Sequence, residues 1–162
     1  AQLQRSILRS QILILPGGFS GGDEPDGAGK FIAAFFRNPR IADAVSILLR
    51  ERDGLILGIC NGFQALIKLG LVPFGEIRPM DAHCPTLSFN RIGRHQSRYV
   101  TTRVTSVRSP WLSLCEPGEL HTLPVSHGEG RFIAEPELLA QLAENGQIAT
   151  QYIGPDGMPS MD

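Results

Sequence analysis

Asp53-Gly54-Leu55-Ile56-Leu57-Gly58-Ile59-Cys60-Asn61-Gly62-Phe63-Gln64, continuing into Ala65-Leu66-Ile67-Lys68-Leu69-Gly70, is the stretch whose reading decides the fold. An uninterrupted apolar run bounded by glycines predicts a strand buried on both faces, and the residues after it fit a helix. Cys60 then stands at a strand-to-helix corner. Gly58 and Gly62, two residues to either side, reproduce the spacing of a nucleophile elbow, where a reactive side chain rides on a tight turn and small neighbours let strand and helix approach closely. The helix beginning near Asn61 offers positive potential that favours a thiolate, and its first N–H groups can hold an oxyanion.

Working outward, Ser10-Gln11-Ile12-Leu13-Ile14-Leu15 is a second continuous apolar run, stopped by Pro16-Gly17-Gly18, and predicts a second buried parallel strand. Leu3 to Leu8 reads as the end of a helix. The Gly-rich loop from Pro16 to Lys30 does not cradle phosphate: Glu24 stands where a P-loop needs its first glycine, Phe31 where it needs a hydroxyl, and Asp23, Glu24 and Asp26 would repel the ligand. Its glycines instead suit backbone N–H groups approaching a ligand at the carboxyl end of a strand. Helical patterns cover Phe31 to Phe36 and, from Pro39, Ile41 to Arg50. Strand, helix, strand, helix is the order of a parallel sheet with crossovers.

Farther on the pattern changes. Pro85 to Asn90 and Ser97 to Val107 alternate and are β-branched, which predicts antiparallel strands with one wet face. Five arginines between Arg91 and Arg108 mark a solvated strand face, with a docking surface as the functional alternative. Ser109 to Leu112 opens a short helix, Leu120 to Ile133 returns to the sheet, Pro136 to Glu144 is helical, and Gln147 to Ile153 forms a last strand.

The 162 residues, 42% of them hydrophobic, suit a single domain, 1–162, and the charge of −1 (15 basic against 16 acidic side chains) gives no field toward nucleic acid or an anionic membrane. No apolar run is long enough to span a bilayer, and a cytoplasmic location is expected. Cys60, Cys84 and Cys115 form no C-x-x-C pair, which argues against a disulfide framework or a structural zinc site.

A thiolate at an elbow needs a base and something to orient it. His127 and Glu129 are one residue apart, so in an extended segment both point to the same side. Glu119 and His121 form a competing pair, ranked behind because they follow Pro117-Gly118 in a loop or strand start. Pro16-Gly17-Gly18-Phe19-Ser20, Gly58-Ile59-Cys60-Asn61-Gly62-Phe63-Gln64 and Ser126-His127-Gly128-Glu129-Gly130-Arg131 together resemble the class I, or triad, glutamine amidotransferases. More narrowly they are similar to the glutaminase domains of phosphoribosylformylglycinamidine synthases.

The resemblance implies a flavodoxin-like α/β fold, mostly parallel, flanked by helices and carrying an antiparallel extension, here a piece of a longer chain truncated at both ends. It implies Cys60 as nucleophile on glutamine, His127 as base and Glu129 as its orienting carboxylate. Gly18, Phe19 and Asn61 would border the oxyanion, and Gln64 would line the glutamine pocket. No metal or cofactor is expected in this chain. The implied partner is a synthetase domain, fused or separate, that uses ATP and magnesium. A cysteine peptidase or deglycase-like enzyme of the same fold, and a non-catalytic docking domain, are the alternatives.

Overall fold

The computed structural model describes residues 2–18 and 29–160. The chain divides into two compact units, Ala1–Leu87 and Ser88–Asp162.

The first unit runs α1 (Gln2–Arg9), β1 (Ile12–Leu15), α2 (Lys30–Phe36), α3 (Pro39–Arg50), β2 (Leu55–Gly58), α4 (Asn61–Leu69) and α5 (Leu71–Phe74). β1 and β2 pair in parallel, with Ile12 opposite Leu55 and Leu15 opposite Gly58. The boundaries follow from local chemistry. Asn38 caps α3, its side-chain oxygen accepting from the Arg40 N–H at 3.1 Å, and Pro39 takes the first turn, where no N–H is needed. Gly70, at φ 84°, adopts the left-handed geometry that closes α4, its N–H bonding to Ile67 O at 3.0 Å.

Helical spacing on α3 turns Ile41, Ala44, Val45 and Leu48 inward, where they join Ile7, Leu15, Phe36, Leu66 and Leu69 in one core. Full burial of each large member contributes about 1.5–3 kcal/mol. One expectation is corrected. Leu15 is buried at 6% exposure, but Ile12 and Ile14 remain 48% and 53% exposed, so the described helices cover only one face of β1. β2 is half-buried along its length rather than enclosed on both faces. A continuous apolar run states that a strand is hydrophobic on both sides; it does not state that both sides find cover.

In the second unit β4 (Gln96–Val104) is the centre of an antiparallel sheet in the order β5-β4-β7, with β5 at Leu120–His127 and β7 at Thr150–Ile153. Gln96 lies opposite His127 and Arg103 opposite Leu120 on one side, and Val104 opposite Thr150 on the other. A separate two-stranded sheet pairs β3 (Thr86–Phe89), whose latter half opens this unit, with β6 (Glu129–Ile133). A 3₁₀ turn at Pro110–Leu112 and α6 (Pro136–Glu144) complete it.

The expected strand through Val107 stops at Val104, because Thr105 leaves the ladder and its N–H bonds to Ala149 O at 2.9 Å. The stretch from Leu120 to Ile133 is not one extended strand: it breaks at Gly128, and β5 and β6 belong to different sheets. His127 and Glu129 therefore do not share a face of one strand. Both strand types expected from the sequence are present, β1 pairing with β2 in parallel and β4 with β5 and β7 antiparallel.

Candidate active site

Cys60 occupies the corner between β2 and α4 with φ 51° and ψ −113°, a backbone region that side chains rarely adopt. Such a residue costs roughly 1–3 kcal/mol and persists only where its surroundings hold it. Here they do. The Ile59 N–H bonds to Leu15 O at 2.9 Å, the Gly62 N–H to Ile59 O at 2.9 Å, and the Gln64 N–H to Cys60 O at 3.0 Å. A Cβ on Gly62 would sit 2.0 Å from Leu15 O, and one on Gly58 would sit 2.7 Å from Leu66 Cδ1 and 2.8 Å from the Gly62 carbonyl carbon. Both elbow glycines are thus required by contact, and the result is a thiol exposed to solvent rather than packed in the core.

Two further glycines follow β1 for different reasons. A Cβ on Gly17 would lie 3.0 Å from Cys60 Cβ and 3.8 Å from its Sγ, so Gly17 supplies room. Gly18 has nothing within 4 Å of such a Cβ but holds φ 128°, so it supplies conformation. Asn61 and Gln64, on the first turns of α4, are buried at 4% and 7% exposure. Phe19, expected beside them, lies outside the described residues.

In the second unit His127 ends β5 and is half-buried. Its Nδ1 lies 3.0 Å from Asn90 Oδ1. The Asn90 side-chain N–H₂ donates to His127 O at 2.8 Å and to Arg94 O at 3.1 Å, and the Asn90 backbone N–H donates to Gly128 O at 2.8 Å. The polar group at the imidazole is therefore Asn90, which the sequence pattern did not single out; its only signal there was an Asn ending a β-branched run before a Gly-containing turn. Glu129, the first residue of β6, is half-buried.

A Cβ on Gly130 would fall 2.1 Å from His127 Cε1 and 2.4 Å from Nδ1, whereas one on Gly128 would meet nothing. Of the two glycines, Gly130 is the one that admits the ring. Burial, and then the like charge of His95, hold the imidazole pKa below its ordinary value. His95 itself bonds through Nε2 to Ser126 Oγ at 2.9 Å. A neutral ring with one lone pair, next to a backbone it cannot leave, is equipped to accept a proton.

Glu119 and His121 also come together, Oε1 lying 3.3 Å from Nε2, with Cys115 Sγ 3.9 Å from the same nitrogen. The three ligand-type atoms fall within 4.8 Å of one another, so these are described residues whose spacing could hold a cation. The carboxylate already has local work, since its other oxygen accepts the Glu116 N–H at 3.0 Å and closes the turn. This accounts for the cluster as part of the approach to β5. Among the described residues, no helix is long and apolar enough to cross a membrane.

The model of the CobB/CobQ-like glutamine amidotransferase domain matches residues 2–162. The chain belongs to that family. Among relatives of this amidotransferase-family chain, phosphoribosylformylglycinamidine synthase subunit PurQ of Thermomicrobium roseum is 37% identical over 98% of the chain and 60% of its own length. The subunit of the same name from Symbiobacterium thermophilum is 37% identical over 94% of the chain and 58% of its own length. Among solved structures, PurLQS from Thermotoga maritima matches with TM-score 0.66 and 29% identity, over 89% of this chain and 56% of that one. The glutaminase domain of Trypanosoma brucei CTPS with bound acivicin matches with TM-score 0.52 at 13% identity, over 99% of this chain and 58% of that one, a likeness of fold. The α/β amidotransferase fold expected from the sequence is thereby established, and the family chain spans about 60% of the length of the relatives it matches.

Proposed function

We propose that residues 1–162 work as one glutaminase domain that hydrolyses glutamine to glutamate and ammonia, and that the ammonia passes to a phosphoribosylformylglycinamidine synthase partner, fused or separate. The observation that carries this is the exposed Cys60 at φ 51°, held by Gly17, Gly58 and Gly62.

In this reading the Cys60 sulfur adds to the side-chain amide carbon of glutamine. Backbone N–H groups near Gly18 and at Asn61 take the oxyanion, Phe19 borders the site, and Gln64 lines the glutamine pocket. The C–N bond breaks, the nitrogen leaves as ammonia with a proton relayed through His127, and a glutamyl thioester remains. His127 Nε2 then takes a proton from water, whose oxygen attacks the thioester, and glutamate departs with the sulfur restored. The Glu129 carboxylate is the group that orients the His127 imidazole in this reading. The reading needs no metal in this chain; ATP and magnesium belong to the synthetase partner, and the pair works in the cytoplasm in de novo purine synthesis. Support comes from the family and from 37% identity to PurQ subunits.

Labelling with a diazo-ketone glutamine analogue, read by mass spectrometry with the synthetase partner present, tests it. Modification of Cys60 that excess glutamine blocks, together with ammonia release lost in Cys60→Ala, is expected. Peptide cleavage without labelling would overturn the assignment in favour of a peptidase of the same fold.

A further inference from the structure

Cys115, Glu119 and His121 bring three different donor chemistries to one point. Glu119 Oε1 lies 3.3 Å and Cys115 Sγ 3.9 Å from the same ring nitrogen, His121 Nε2, and the three atoms fall within 4.8 Å of one another. The turn before β5 explains how the three come together, not what they share. An ion pair between Glu119 and His121 leaves the sulfur over, because Nε2 carries either one hydrogen or one lone pair and cannot serve both neighbours. A cation set between the three atoms takes a lone pair from each.

We propose that these side chains form a binding site for zinc(II), with a water in the fourth position. Tetrahedral zinc, with ligands at about 2.0–2.3 Å, separates a nitrogen from an oxygen by about 3.3 Å and from a sulfur by about 3.6 Å. The carboxylate–imidazole spacing already matches, and the sulfur has about 0.3 Å to close. The donor set selects the metal: a thiolate and an imidazole suit a borderline-soft ion, whereas calcium and magnesium take oxygen ligands. Zinc displaces the thiol proton, which leaves to solvent. The His121 and Glu119 side chains, 41% and 42% exposed, keep the fourth position open to water.

The backbone around the donors is fixed before any ion arrives. The Glu119 N–H donates to Glu116 O at 3.1 Å, Glu119 O accepts the Val104 N–H at 2.9 Å, the Cys115 N–H donates to Leu112 O at 3.0 Å, and His121 sits opposite Thr102 in the β4–β5 ladder. The Glu116 N–H, 3.0 Å from the second carboxylate oxygen, holds the group so that Oε1 faces the ring. No C-x-x-C pair announces the cluster, since its donors come from a turn and from the start of β5. All of it belongs to the second unit and needs nothing from the reaction proposed above.

Titration of the metal-free full chain with cobalt(II) under reducing conditions, and then with zinc(II), tests the site. One equivalent of cobalt should give the sulfur-to-metal charge-transfer band and visible d–d absorption of a tetrahedral thiolate site, and zinc should displace it. Cys115→Ser and His121→Gln should each lose the charge-transfer band, and Cys60→Ala should keep it. Should a variant fail to fold by circular dichroism, alkylation of the unaltered chain decides. With zinc present, modification of Cys115 by iodoacetamide, mapped by mass spectrometry, should slow by roughly 10-fold or more while Cys84 reacts as before. Absence of the thiolate band, its survival in Cys115→Ser, its loss in Cys60→Ala, or alkylation of Cys115 that zinc does not slow would overturn the proposal.

Discussion

A Cβ placed on Gly130 would lie 2.1 Å from Cε1 of His127, so the imidazole and the backbone of β6 pack with no space for a methyl group. Gly130→Ala should push the ring from its place. A displacement near 1 Å is enough to cost on the order of 100-fold in rate. Gly128→Ala, with open space around its Cβ, is the control and should keep activity within a few-fold. Ammonia release by the two variants, each checked for folding by circular dichroism, decides the matter; equal losses would show that the ring contact is unimportant.

The backbone of Cys60, at φ 51° and ψ −113°, belongs to a region glycine enters readily. Cys60→Gly should release strain of about 1–3 kcal/mol, offset by about 0.5–1 kcal/mol of added chain entropy in the unfolded state. Cys60→Ala keeps the strain. Both variants should be inactive, and Cys60→Gly should melt a few degrees above Cys60→Ala. The idea fails if the glycine variant melts at or below the alanine one.

Burial first, and His95 second, lower the pKa of His127 from its ordinary 6.5. In the proposed reaction the unprotonated ring is the active form, so the acid limb of kcat/KM should fall below 6.5 rather than at it. His95→Gln removes the smaller cause and should move that limb upward while leaving it below the ordinary value. The same shift bears on stability: a ring that resists protonation in the folded state contributes stability fully present above 6.5, lost as pH falls through the lowered value. An acid limb that does not move in His95→Gln would remove His95 from the account.

The elbow was legible because its meaning is carried by spacing: Gly58, Cys60 and Gly62 are close in sequence, although the Leu15 contact that requires Gly62 comes from β1, far back along the chain. The helices from Pro39 and Pro136 were legible from their first-turn prolines for the same reason. The surroundings of His127 were not. Asn90 is 37 positions away and reaches the ring only because the turn after β3 folds back beside the end of β5. The break at Gly128 was hidden by residues on both sides that favour strands, so His127 and Glu129 read as one extended segment. For β1 the composition was right and the cover was wrong, since Ile12 and Ile14 carry no mark of which side the helices take.

Asn90 also donates to Arg94 O, so one amide is shared between the imidazole and a surface bend ending two residues before the ring's strand neighbour, Gln96. The His127 ring is consequently tied to the outside of the protein. Whatever reshapes residues 90–94 reaches the imidazole through one amide, without ever touching the histidine.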